Sequence, residues 1–287
     1  MKVFYTRFRF DLAQSPALLI AGLMCFSLGS PGIASTRPFQ DQTARSLKPP
    51  QREIAKQQER LSSAEVEERR DALMKLSVMH HPEASRVSLP ALKDSSPIVR
   101  AAAAKAILAL PASEVVLALT PLLTDKDEFV RQETAYALGK THYRSAVPAL
   151  GEVLLTDKRD GVRAAAAVAL GDIADDSAVP VLIHVLSGQP PTSSKTKRKA
   201  KGERNEFVLR AVATALGQIR NRAAVPALVA VLGEEKTPSD VKREAASSLG
   251  LIADPSAVPA LQSAQSSSDP HLSRVAYLAL QRIARSR

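Results

Sequence analysis

The sequence predicts an all-α fold, a right-handed superhelical solenoid of about seven helix-turn-helix repeats. Two observations carry that prediction. A phrase typified by "VRAAAAVALG" returns along the 287-residue chain, with equivalent anchors at Val66, Val99, Val130, Val162, Val208, Val241 and Leu272. The gaps between anchors are 33, 31, 32, 46, 33 and 31 residues, a period suited to one helix pair. Aromatic residues make up 4% of the chain and tryptophan is absent, which is little for one large core but suits thin layers of Ala, Val and Leu.

The elements follow in chain order. Lys2, Arg7 and Arg9 precede the apolar run Ala17 to Leu28, and Gly32-Ile33-Ala34 supplies small residues after it. Residues 1–34 therefore read as a signal peptide. Export to the periplasm or beyond is the expectation, and an uncleaved membrane anchor is the alternative. The run is short against the roughly 20 residues of a spanning helix. Cys25 is the only cysteine, so a chain cleaved after Ala34 has no disulfide and no thiolate. Cleavage also lowers the formal charge from +10 to +8. Residues 35–50 lack a period and end in Pro49-Pro50, as a flexible leader would. The solenoid is expected over residues 51–287.

Each unit reads as two helices. In the second, Val162, Ala165, Ala166, Ala169, Leu170 and Ile173 share one helical face. The first opens at "SAVPAL" or a variant, where Ser145 and Ser177 are candidate caps. Pro148, Pro180, Pro226 and Pro259 fall in its first turn, where no backbone N–H is needed. Gly139, Gly171, Gly217 and Gly250 recur at one position of the second helix. Each costs roughly 1 kcal/mol of helix propensity, so a contact that excludes a β-carbon is expected there. The long gap holds an insertion at 188–206.

The segments "AVPAL…LLTDKRDGVRAAAAVALGDIADDS" and "LLTDKDEFVRQETAYALG" resemble the HEAT-repeat family, in its bacterial phycobilisome-lyase-like form. The resemblance covers about Ser62 to Ile283. It implies a ladder of turn aspartates and early second-helix arginines running from repeat to repeat. Asp94 and Arg100, Asp125 and Arg131, and Asp157 and Arg163 match its spacing. In the C-terminal half Lys242 keeps only a base, and Leu209 and Ser273 replace the arginine, though Arg210 and Arg274 follow directly. In the first unit Arg69 and Arg70 occupy expected core positions, which a terminal cap tolerates. The resemblance also implies that second helices line a concave face. The exposed positions there are Lys105, Gln132, Tyr136, Lys140, Arg210, Gln218, Arg243, Arg274 and Arg282, with Asp172 as the only acid.

Relatives of this type include bilin lyases and the di-iron deoxyhypusine hydroxylase, which holds iron through His-Glu pairs. This chain has no His-Glu dipeptide among its five histidines, His80, His81, His142, His184 and His271. It also lacks a zinc motif, a phosphate loop and a nucleophile elbow. No catalytic residue, metal or cofactor is assigned. The insertion carries Lys195, Lys197, Arg198, Lys199, Lys201 and Arg204 with one acid, Glu203, for a local charge of +5. That run suits an anion. It has no aromatic to stack on bases, which together with export disfavours nucleic acid and favours an anionic envelope surface. The expectation is a non-catalytic protein-binding scaffold or assembly factor of the bacterial envelope, with an acidic or extended protein partner. A lyase- or hydroxylase-like enzyme and a polyanion binder are the alternatives.

Overall fold

The computed structural model describes residues 48–188 and 205–286. The expected signal peptide, Cys25, residues 35–47 of the leader and the basic run from Lys195 to Arg204 lie outside the described residues. Among the described residues there are fourteen α-helices, joined by 3-10 turns and loops, and no strand. They form seven pairs. These are α1 (Pro49–Arg60) with α2 (Val66–Val78), α3 (Pro82–Ser88) with α4 (Pro97–Ala106), and α5 (Ala112–Leu119) with α6 (Glu128–Gly139). Next come α7 (Val147–Thr156) with α8 (Asp160–Ile173) and α9 (Val179–Ser187) with α10 (Glu206–Ile219). The last are α11 (Val225–Gly233) with α12 (Ser239–Ile252) and α13 (Val258–Gln265) with α14 (Pro270–Arg285).

Two local expectations need correction. Pro49 and Pro50 open α1 rather than close a leader, because the first helical turn needs no N–H from either. Ser145 and Ser177 do not cap the first helices. A 3-10 turn precedes each, and in the second case Asp175 accepts the Ser177 N–H at 2.9 Å. The carboxylate is the stronger acceptor and takes the capping role. Asp254 does the same with Ser256, and Asn221 with Ala223.

The second helices stack in sequence, each packed on the one before. Their apolar faces merge into one core that runs from Leu73 to Ile283, with a satellite of Ile54, Leu76 and Ala84 under α1. The recurrent glycines set the spacing of this row. A β-carbon on Gly139 would lie 2.8 Å from the Ala169 Cα, and one on Gly171 would lie 2.9 Å from the Ala215 Cα. One on Gly217 would lie 2.9 Å from the Ser248 Cα, and one on Gly250 would lie 2.8 Å from the Ala279 Cα. Each glycine thus meets the small residue two places before the equivalent position in the next repeat. "Ala/Ser-Leu-Gly" is a two-sided contact, receiving on the first residue and delivering on the third. In α14 the delivering position is Gln281, whose amide donates to the Tyr277 hydroxyl at 2.6 Å.

The sign of a substitution separates this contact from ordinary helix propensity. Gly171→Ala gains roughly 1 kcal/mol of propensity. It also drives a methyl into the α10 backbone, and overpacking costs about 1–3 kcal/mol. Denaturant melts should show Gly171→Ala destabilised. Gly233→Ala, at an exposed site with nothing within 4 Å, should be neutral or stabilised. Equal midpoints for the two variants would contradict the contact.

Candidate functional site

Two polar systems lie on the second helices, and they divide structural from available groups. The first is an arginine ladder along the turns inside each pair. Asp94, Asp125 and Asp157 each accept the N–H two residues on, from Ser96, Asp127 and Arg159, which closes the turn. The arginines bridge outward from there. Arg100 donates from Nε and Nη2 to the two carboxylate oxygens of Asp125, both at 2.8 Å. Its Nη1 donates back to the Asp94 and Ser95 carbonyls at 2.8 and 3.1 Å. Arg131 does the same between Asp157 and the Asp125 carbonyl. Both arginines therefore clasp their own turn and the next repeat's carboxylate in a bidentate fork.

Arg69 is the first rung, which corrects its expected place in the core. It forks onto Asp94 at 2.8 and 2.9 Å and returns Nη1 to the Ser63 and Ala64 carbonyls. The first unit is thus registered two residues later than its anchor suggests, with Glu68 where the other units have an aliphatic residue. Ser63 stands in the aspartate's place and accepts the Glu65 N–H. Arg163 breaks the run. It turns back to the Leu154 carbonyl and Asp160, and Asn205 reaches Asp160 at 2.7 Å where the insertion replaces a plain turn. The C-terminal half regains a rung through Arg243, which donates to Asp269 at 2.9 and 3.0 Å and also reaches Asp240. Arg243 was expected as a free contact residue. Lying one place beyond Lys242, it reaches the same kind of carboxylate.

The second system is the exposed face of the second helices. Lys105 pairs with Glu133 at 2.5 Å, Lys140 with Asp172 at 2.8 Å, and Arg210 with Asp240 at 3.8 Å. Glu244 accepts from the Thr214 hydroxyl. Asp172 is therefore not the only acid on this face, and Lys105 and Lys140 are neutralised by the next repeat. Tyr136 is half-buried against the core. Arg274 and Arg282 have no ion pair among the described residues. Two residues emerge that sequence reasoning missed. Phe129 and Phe207 are 46% and 54% exposed. Both follow a cap that fixes them, Asp127 accepting from Phe129 and Asn205 from Phe207 at 2.9 Å. An aromatic just before the anchor valine, where the helical pattern puts water, was the available signal.

A family model described as HEAT repeats matches residues 58–139, 116–195 and 234–287. The chain belongs to the HEAT-repeat family. A model of the PBS lyase HEAT-like repeat matches residues 208–234 of this HEAT array. No curated protein matches it. It is similar to the structure of human deoxyhypusine hydroxylase in complex with glycerol, at 22% identity and a TM-score of 0.40, over 87% of this chain and 92% of that one. It is also similar to the complex of CpcE and CpcF of phycocyanin lyase from Nostoc sp. PCC7120, at 21% identity and a TM-score of 0.47, over 91% and 93%. Neither likeness bears on what this HEAT array does.

Two of the five histidines hold backbone in place. His81 caps α3 by accepting the Glu83 N–H at Nδ1, and His142 Nδ1 lies 2.6 Å from the Asp172 carbonyl. Among the described residues no group of three or more His, Cys, Asp or Glu is placed to hold a metal, and no helix is long and apolar enough to cross a membrane.

The ladder carries a pH signature. The Arg69 hydrogen bonds hold the Asp94 carboxyl below the usual range, against some desolvation. For Asp125, Asp157 and Asp269 burial pushes the carboxyl up, but bonds from Arg100, Arg131 and Arg243 and from turn N–H groups outweigh it and leave each lowered. A folded value below the unfolded one means stability that is present above the unfolded value, near 4, and lost as pH falls through the folded values. Chemical melts should therefore weaken below about pH 4. The Arg100 and Asp125 side chains are only 8% and 12% exposed, so this is a buried pair. Asp125→Ala should cost about 3 kcal/mol at neutral pH and flatten the acid slope. A variant with wild-type midpoint and slope would contradict the ladder's role.

Proposed function

We propose that this HEAT array is a non-catalytic scaffold or assembly factor of the bacterial cell envelope, binding another protein along the face of its second helices. The observation that carries the reading is the pair Phe129 and Phe207, aromatic and half exposed on α6 and α10, either side of α8. Aromatic residues and arginine dominate the energetics of protein interfaces, and Arg210 and Arg274 share this face. Several groups that could do chemistry have structural partners. The turn aspartates hold the ladder, and His81 and His142 hold backbone. Export rests on the basic start, the apolar run and the small residues before Ser35.

Two measurements test the reading. N-terminal sequencing from the native host should find a chain that begins near Ser35, and a cytoplasmic chain that retains Met1 would overturn the envelope role. Affinity capture from envelope extract should yield one dominant partner with the wild type. Phe129→Ala/Phe207→Ala should weaken that capture roughly tenfold or more with an unchanged melt. Capture that survives the double variant would move the binding surface away from this face.

A further inference from the structure

The second-helix face has two chemically different halves. Toward α6 and α8 the exposed cations are cancelled by the next repeat, Lys105 by Glu133 and Lys140 by Asp172. What remains open there is apolar: Phe129 and Phe207, with Gly161 and Val168 half-buried on α8 between them. A β-carbon on Gly161 would meet only the Gln132 side-chain oxygen, at 3.5 Å, so this glycine makes no core contact and leaves the α8 surface low between the two phenylalanines. Toward α14 the balance reverses. That helix carries Arg274, Arg282 and Arg285 and no acid. Between α12 and α14 lies a cleft of about 380 Å³ lined by Arg243, Glu244, Ser247, His271, Arg274 and Val275. Arg243 is held by Asp269 and Asp240, while Glu244 accepts from the neutral Thr214 hydroxyl and keeps its charge on the α12 side of the cleft. Arg274 is left to meet an incoming anion, with Val275 beside it.

We infer that the occupant of this face is an extended acidic segment of a partner protein, with an apolar side chain over α8 between Phe129 and Phe207 and a carboxylate in the α12–α14 cleft at Arg274. The inference rests on the scaffold reading above and names the partner's chemistry. The spacing sets the segment's length. From α8 to α14 is three helix steps of about 8–10 Å each, or about 27 Å. An extended chain advances about 3.3–3.5 Å per residue, so about eight residues separate the apolar anchor from the carboxylate. The footprint runs from α8 to α14, a span that an extended strand covers with few residues. Exposed cations that lack an internal partner add affinity and on-rate for an acidic segment and penalise a basic one.

The test uses the full chain against an array of synthetic peptides of about twelve residues. Each carries a Leu-Phe pair and a glutamate pair set about eight residues apart, and a twin carries lysine in place of glutamate. The glutamate peptides should bind and the lysine twins should not, and added salt should weaken binding. Arg274→Glu/Arg282→Glu should lose roughly tenfold or more, and Phe129→Ala/Phe207→Ala a similar amount, with melts unchanged. Gly161→Gln should block the apolar anchor and leave the melt intact. Equal binding of both twins, sensitive only to the phenylalanine variant, would overturn the acidic assignment and leave the face reading standing. Binding insensitive to every variant would overturn both. Failure of all peptides to bind, while partner capture still depends on Phe129 and Phe207, would overturn the extended-segment inference alone.

Discussion

The close approach of consecutive second helices is the constraint on which the molecule depends. At Gly139, Gly171, Gly217 and Gly250 the chain leaves no space for a methyl group. That spacing dictates the composition around it. Helices this close exclude bulky side chains from their shared face, so alanines fill it, as Ala164 to Ala167 do on α8, all fully or almost fully buried. Leucines such as Leu138, Leu170, Leu216 and Leu249 supply the volume beneath. A core built in such thin layers has little use for tryptophan. The four glycines each sacrifice helix propensity, and the packing of the next repeat offsets the loss.

Electrostatics act along the same one-dimensional axis. Arg69, Arg100 and Arg131 are each satisfied by their own turn and by the successor's aspartate, so their burial leaves no uncompensated charge. The rungs stop where a partner is lacking. Ser63 takes the aspartate's place before Arg69, and Ser273, which takes the arginine's place on α14, bonds the Gln265 carbonyl. At the insertion the rung is replaced by the Asn205–Asp160 bond, while Gly171 still packs on Ala215. The helix row therefore passes the insertion without a break, and only the turn chemistry changes.

Much of this was legible in the sequence because a stacked array repeats its constraints. The period, the glycine position and the place of the insertion all follow from self-similarity. What stayed hidden depended on relations between repeats. Val66 mimics an anchor, yet the ladder registers α2 on Glu68, so Arg69 looked like a core residue. Lys105 and Lys140 looked free because their acids lie in the next repeat, at offsets that no single unit displays. Arg243 reached Asp269 from one position beyond the spacing of the other rungs. The phenylalanines were visible as letters, but their exposure depends on how the caps at Asp127 and Asn205 aim the first turns of α6 and α10.

In such an array each repeat is stabilised by its neighbours, so a local insult should stay local. Native-state hydrogen exchange of Gly217→Ala tests this most directly. The three atoms nearest its added methyl all belong to Ser248 on α12. Amide protection should fall in α10 and α12, fade through α8 and α14, and stay unchanged in α2 and α4. A uniform loss from α2 to α14, or no loss at α10 and α12, would contradict it.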